Sequence, residues 1–251
     1  MRQLPILCSS FFFVSISWLV GSGSSYGIQL ETHEEKAANL KQQATGGLFQ
    51  KWTFDQDQID HFPTGFEQDM ANEPPATWAV QASATAPSLP NVVAGSSRCG
   101  EQCFQVLLAQ GLEYEYPDLS VRFRSLNGVG AGGLVLGAQD AKNFYAAVVD
   151  AVQEKVHLLR ISNGRRVSLA EASVHFKPVE WHSLRVQRNT IISKDFIEVY
   201  VDGALMLSVE DQTLGLGQVG FALVGQSSML FDSFHAVPLF SHRPLSSPPA
   251  Y

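Results

Sequence analysis

Leu119-Ser120-Val121-Arg122-Phe123-Arg124-Ser125-Leu126 alternates apolar Leu119, Val121 and Phe123 with polar Ser120, Arg122 and Arg124, then stops at Asn127-Gly128. A period of two lays the apolar set on one side of a β-strand and the polar set on the other. Asn-Gly is a hairpin-type turn signal. Working outward, the same grammar recurs. Lys155 to Ile161 and Arg165 to Ala170 flank Ser162-Asn163-Gly164, which reads as a β-hairpin. Phe196 to Val201 turns at Asp202-Gly203 into Ala204 to Val209. Trp181 to Arg188 alternates again, and Gly133 to Ala138, Phe144 to Val149, Val219 to Val224 and Met229 to Val237 complete the carboxyl half. Upstream, Leu48 to Phe54, Thr77 to Gln81 and Phe104 to Leu108 read as strands, while the Ala-, Ser-, Pro- and Gly-rich residues 84–97 read as a loop.

About a dozen antiparallel strands must each bury one face, and two packed sheets achieve this. The expected fold is therefore all-β, a two-sheet antiparallel sandwich. A closed barrel is the alternative, disfavoured by uneven strand lengths and long early loops.

The amino end has a different character. Arg2 precedes the apolar run Phe11 to Val20, and small residues from Gly21 to Ser25 follow. That order describes a signal peptide over residues 1–27, cut after Ser25 or Gly27, with an uncleaved anchor as the alternative. The expectation is a secreted or periplasmic protein with no membrane contact after cleavage. Residues 28–49 are a linker or loosely docked arm. Ala37, Ala38 and Leu40 favour a short helix there, although Asn39 does not and no strong apolar stripe is present. The sandwich occupies residues 50–238, and residues 239–251 form a Pro- and Ser-rich tail.

The formal net charge is -7 with no dense basic run, which removes the electrostatic footprint of nucleic-acid binding. Of three cysteines, Cys99 and Cys103 remain after cleavage, with Gly100 between them to allow a tight turn. Export permits a small disulfide staple here; free thiols are the alternative. The spacing is neither that of a redox pair nor, without neighbouring histidines, that of a zinc site.

The series Asp118-Leu119-Ser120-Val121-Arg122-Phe123-Arg124, Gly132-Gly133-Leu134-Val135-Leu136-Gly137-Ala138-Gln139-Asp140, Asn143-Phe144-Tyr145, Trp181-His182-Ser183-Leu184-Arg185-Val186, Ile197-Glu198-Val199-Tyr200-Val201-Asp202-Gly203, Gly217-Gln218-Val219-Gly220-Phe221 and Phe231-Asp232-Ser233-Phe234 resembles the concanavalin A-like lectin/glucanase superfamily. Within it, the chain is similar to laminin G-like domains and to the bacterial 3-keto-disaccharide hydrolase domain family. The resemblance implies a jelly roll with one concave face and a sugar- or surface-related role. The Glu-x-Asp-x-x-Glu strand motif of the classical glucanases is missing, so the first reading is a binding module for a glycan or another cell-envelope ligand. A sugar hydrolase and a structural or protein-binding sandwich are the alternatives.

No cofactor is required on this reading. Asp55 and Asp232, near the ends of terminal strands, are candidates for a structural calcium site; capping of turns is the alternative. Arg122 and Arg124 face away from the core of their strand and can line a groove, joined by Gln139, Tyr145 and Asp150. Tyr145 is expected to stack on a sugar with its hydroxyl wet. A plain solvated sheet face is the alternative. Trp52, Trp78 and Trp181 read as core, and His182 as a packed strand residue.

Overall fold

The structure is a computed structural model that describes residues 48–68, 74–126, 128–177 and 179–239. The expected signal peptide, all but the last two residues of the arm, and the tail beyond Leu239 lie outside the described residues. Among the described residues fifteen strands follow in chain order: β1 (Gln50–Trp52), β2 (Phe66–Gln68), β3 (Thr77–Ala82), β4 (Asn91–Arg98), β5 (Phe104–Tyr114), β6 (Pro117–Ser125), β7 (Ala131–Asp140), β8 (Asn143–Asp150), β9 (Lys155–Ser162), β10 (Arg165–Ser173), β11 (His182–Ile191), β12 (Lys194–Val201), β13 (Ala204–Glu210), β14 (Gly217–Val224) and β15 (Gln226–Pro238).

They form two antiparallel sheets. The eight-stranded sheet runs β13-β12-β11-β6-β15-β4-β3, with β1 also paired to β15. The seven-stranded sheet runs β10-β9-β8-β7-β14-β5-β2. The all-β two-sheet sandwich is thus confirmed, and the core lies between the sheets. An aromatic ladder crosses it: Phe66 of β2 stacks on Phe221 of β14 at 5.7 Å, Phe221 stacks on Phe231 at 4.7 Å, and Trp52 of β1 stacks on Phe234 at 5.0 Å. Offset stacking at these distances adds to the area that the rings already bury.

Two expectations are corrected. Residues 84–97 are not one loop, because Asn91–Arg98 is β4, a central partner of β3 and β15. Its Ala, Gly and Ser content hid it: Gly95 leaves room for the ring of Trp78, whose Cζ3 would come within 2.5 Å of a Cβ there. The segment after Leu126 is not a hairpin either. It carries the chain from β6 in one sheet to β7 in the other.

The hairpins at Asn163-Gly164 and Asp202-Gly203 do form, with φ of 50° and 75° at the first pair and 48° and 83° at the second. A third hairpin, joining β11 to β12, turns on Ile192 and Ser193 at φ 49° and 64°. Neither residue favours that left-handed region, and a β-branched side chain is least suited to it. Ile192 is almost fully exposed, so no packing compensates for the strain. Replacing the pair with Ile192→Asn and Ser193→Gly is expected to stabilise the domain by about 1 kcal/mol. A denaturant melt comparing midpoints at equal slope checks this; a lower midpoint counts against it.

Candidate functional site

The two sheets differ in sequence texture. Strands β6, β11 and β12 alternate, but β8 reads Phe144-Tyr145-Ala146-Ala147-Val148-Val149 without a polar residue. A continuous apolar run marks a strand buried on both sides. Tyr145, Ala147 and Val149 enter the core between the sheets, whereas Phe144, Ala146 and Val148 belong to a second apolar cluster on the outer side of the seven-stranded sheet.

At one end of this outer side lies a cavity of about 640 Å³. Its apolar lining is Val148, Val152, Leu159 and Val224, of which Val152 is the exposed one. One wall is the Cys99–Cys103 loop, which the disulfide closes and which contributes Glu101 and Gln102. Cys103 N–H donates to Gly100 O at 2.9 Å, and Gly225 N–H to Cys103 O at 3.0 Å, so the loop is fixed to the start of β15. The opposite wall is the β8–β9 turn. Asp150 Oδ1 accepts from the backbone N–H groups of Val152 and Gln153, both at 2.9 Å, which sets the turn and holds the carboxylate at the cavity.

His157 and Arg166 complete the polar lining. His157 is buried, and its Nδ1 lies 3.5 Å from Glu171 Oε2, whose partner oxygen accepts from Lys155 Nζ at 2.5 Å. Burial pushes the His157 pKa down, the Arg166 charge adds to this, and Glu171 opposes it. The imidazole is therefore neutral at pH 7 and offers one donor and one acceptor. The cavity thus combines apolar valines, two carboxylates, a guanidinium and a neutral imidazole.

The five expected ligand residues do not converge. Arg122 and Arg124 lie on β6 of the eight-stranded sheet; Gln139, Tyr145 and Asp150 belong to β7 and β8 of the other. Arg122 Nη2 donates to Trp181 O at 3.2 Å, and Arg124 Nη1 donates to Thr85 Oγ1 at 2.8 Å while its guanidinium stacks 5.3 Å over the Trp181 ring. Trp181 is therefore an arginine platform at the sheet surface, unlike Trp78, which is core. Gln139 is exposed beside the Asp140–Asn143 turn. Of the five, Asp150 alone lines the cavity. Sequence spacing missed Glu101 and Arg166, since nothing in it pairs the cysteine loop with the β8–β9 turn.

Tyr145 is a correction: it is fully buried, not wet. Alternation from Phe144 left its side undecided, and the core took it. Its hydroxyl donates to Asp211 Oδ1 at 2.5 Å and accepts from Leu214 N–H at 2.9 Å, and Arg160 Nη1 pairs with the second Asp211 oxygen. His182, as expected, packs among Phe123 and Phe176, with Nδ1 2.6 Å from Asp202 Oδ2.

Asp55 and Asp232 are brought together. Ser88 bridges them: its N–H donates to Asp232 Oδ2 at 2.6 Å and its Oγ to Asp55 Oδ2 at 2.7 Å. Burial pushes the Asp232 carboxyl up, amides of Ser88 and Ser233 pull it back, and the Asp55 charge raises it again. Asn91 sits alongside, its Nδ2 donating toward the carbonyls of Phe54, Asp55 and Asp57, while its buried Oδ1 has no hydrogen-bond partner. Among the described residues no group of three His, Cys, Asp or Glu side chains could hold a metal.

With this geometry established, the fold is an all-β, two-sheet antiparallel sandwich consistent with a concanavalin A-like jelly roll. The carbohydrate binding module CBM66 from Bacillus subtilis matches with a TM-score of 0.55 and 22% identity, over 68% of this chain and 96% of that one. A Bacillus subtilis protein of unknown function with a galectin-like fold matches with a TM-score of 0.53 and 10% identity, over 77% and 98% of the two chains. In sequence, the levanase of Bacillus subtilis is 29% identical over 113 residues, 45% of this chain but only 16% of the levanase. No protein-family model matches the chain. Among the described residues no helix is long and apolar enough to cross a membrane. The chain thus shares its β-sandwich fold with these structures, and its sequence match spans about a sixth of the levanase.

The buried tyrosine makes a prediction. Burial, and then its bond to Asp211, pushes the Tyr145 hydroxyl up to about 12. In the unfolded chain it ionises near its ordinary value of about 10. Between these values the unfolded state binds fewer protons, so stability falls as pH rises. Tyr145 alone accounts for a loss of roughly 2 to 3 kcal/mol by pH 12. Tyr145→Phe is expected to cost about 1 to 3 kcal/mol at pH 7 and to flatten the decline above pH 10. Urea melts at several pH values measure both; parallel pH profiles for the two proteins would contradict the assignment.

Proposed function

We propose that this chain is an exported, non-catalytic glycan-binding module whose ligand sits in the cavity between the Cys99–Cys103 loop and the β8–β9 turn. The observation that carries the reading is the lining of that cavity. Sugars present apolar C–H patches and rows of hydroxyls, so a site for them needs an apolar floor and convergent polar groups. Val152 and Val224 supply the apolar surface. Asp150 and Glu101 accept from hydroxyls, Arg166 donates to them, and neutral His157 does either. The likeness to a carbohydrate binding module supports the reading. The order of residues at the amino end and the disulfide both suit export. Levan, the polymer in the name of the similar levanase, is the first ligand to test.

Titration calorimetry with levan oligosaccharides, followed by a glycan array, is the experiment. Binding without release of reducing ends is expected. Arg166→Ala and Glu101→Gln, both at exposed positions, are expected to weaken it at least about tenfold, or 1.4 kcal/mol each, with the melting temperature kept. Silence across the array, or affinity that neither substitution changes, removes the cavity as a glycan site.

The proposal includes a structural calcium ion at Asp55 and Asp232. The oxygens there fit a hard cation: two carboxylates, the unpartnered Asn91 Oδ1, and main-chain carbonyls close by. Such an ion would offset the repulsion between the two carboxylates and tie the segment after β1 and the middle of β15 to the Ser83–Pro90 loop. Calcium at about a hundred times its Kd is expected to add roughly 2.7 kcal/mol of stability over a chelator-treated sample. Scanning calorimetry reads this, and Asp55→Asn is expected to abolish the difference. Equal melting temperatures with calcium and with chelator would exclude the ion.

A further inference from the structure

Among the described residues three arginines lie over aromatic rings. Arg185 sits 5.3 Å from the Tyr200 ring centre, Arg188 5.6 Å from Tyr116, and Arg124 5.3 Å from Trp181. The first two also hold a carboxylate. Arg185 Nε and Nη2 donate to the two oxygens of Asp118 at 2.7 and 2.5 Å, and Arg188 Nη2 donates to Asp195 Oδ2 at 2.6 Å. A guanidinium stacked on a ring keeps its edge free for such an acceptor. Arg124 is built the same way, but among the described residues no carboxylate pairs with it. Its bond is the one from Nη1 to Thr85 Oγ1.

Arg122 shares that lack. It stands two residues before Arg124 on the same side of β6, and its Nη2 reaches the carbonyl of Trp181. Both guanidiniums thus converge on one residue. Burial sets the pair apart. Arg98, Arg165 and Arg166 also have no carboxylate partner, but they are exposed, and water serves them. Arg122 and Arg124 are half-buried, as is Arg160, which pairs with Asp211. The aspartate opposite Arg122 in register, Asp232, gives its oxygens to the amides of Ser88 and Ser233. Asp202, near the next strand, accepts from Ser183 and bonds His182. A half-buried guanidinium has five N–H donors and no acceptor of its own. Two of them side by side, in a chain of net charge -7, make a socket for an anion.

We propose that Arg122, Arg124 and Trp181 form a second binding site, on the eight-stranded sheet, for the carboxylate of an acidic sugar, a uronic acid. The carboxylate takes the place that Asp118 takes on Arg185. Stacking and the Thr85 bond already fix the Arg124 side chain, so little freedom is lost on binding. Hydroxyls flank the socket: Thr85 Oγ1 touches Arg124, and Ser83 Oγ lies 3.4 Å from it. They suit the ring hydroxyls of a sugar, each being donor and acceptor at once. The sugar part of the proposal rests on the glycan-binding reading above; the anion part stands on the arginines alone. Neither arginine lines the cavity of the seven-stranded sheet, so the two sites bind independently.

Titration calorimetry of the full chain with galacturonate, glucuronate and mannuronate oligosaccharides, beside neutral ones of the same length, tests this. At least one acidic series is expected to bind and its neutral counterpart to bind far more weakly. Arg124→Gln is expected to weaken binding about tenfold or more. Arg185→Gln removes the same charge from the same sheet and is expected to leave the affinity almost unchanged. Arg166→Ala, in the cavity, is expected to leave it unchanged too, so loss of levan binding and loss of uronate binding are read separately. The proposal is overturned by silence across the acidic series, by equal binding of neutral sugars, or by equal losses from Arg124→Gln and Arg185→Gln. A glutamate oligopeptide that competes as well as the uronate would replace the sugar with an acidic protein partner and overturn it also. If Arg124→Gln does not fold, arginine modification of the wild-type chain decides. The uronate is expected to shield Arg124 but not Arg98 from a dicarbonyl reagent, read by peptide mass mapping, and equal labelling counts against the site.

Discussion

The seven-stranded sheet is apolar on both faces, and its outer cluster is as deeply buried as the core between the sheets. Leaving its outer cluster in water would forgo on the order of 10 kcal/mol, as much as the net stability of a typical domain. The rest of the architecture accommodates this. The eight-stranded sheet keeps one wet side, where Arg185 bonds Asp118 through two nitrogens and Tyr200 donates to Glu198. The seven-stranded sheet gives its polar groups to its ends and its β10 edge. Its cavity therefore lies at the end of an otherwise dry face.

Buried charge follows one pattern. Asp211 and Asp232 each join segments that are distant in sequence, and each accepts backbone amides or hydroxyls besides any cationic partner. Burial pushes the Asp211 carboxyl up, but bonds from Tyr145 and Thr213 and the charge of Arg160 outweigh it and hold it below the usual range. For Asp232 the balance falls the other way, because the neighbour is another carboxylate and not a guanidinium. Two aspartates of similar burial are thus separated by the sign of what faces them.

What the sequence revealed and hid has a physical basis. Local signals carried well. Alternation in β6 and β11 placed Val121, Phe123, Leu184 and Val186 inside, and the two Gly-containing hairpins formed where the residues for left-handed backbone stood. The Cys99–Cys103 staple and the meeting of Asp55 with Asp232 were also legible, because loop geometry and strand ends constrain them. Failures were of two kinds. β4 lacked large side chains, since a tryptophan lies across Gly95 in place of a side chain of its own. The proposed groove mixed two sheets, because the fifteen strands alternate between layers in ways that no local turn records. Tyr145 went inward through a partner 66 residues away.

The first and last described residues of the sandwich lie on one side of it. Leu48 is fixed by Tyr114, and Leu239 N–H donates to Tyr116 O at 2.6 Å, so entry and exit share the rim where β5 passes into β6. The cavity opens beyond the other end of β5, next to Phe104, where Val224 and Gly225 lead into β15. Leu48 and Leu239 therefore sit at the opposite end of β5 from the cavity, like the base and the lip of a cup.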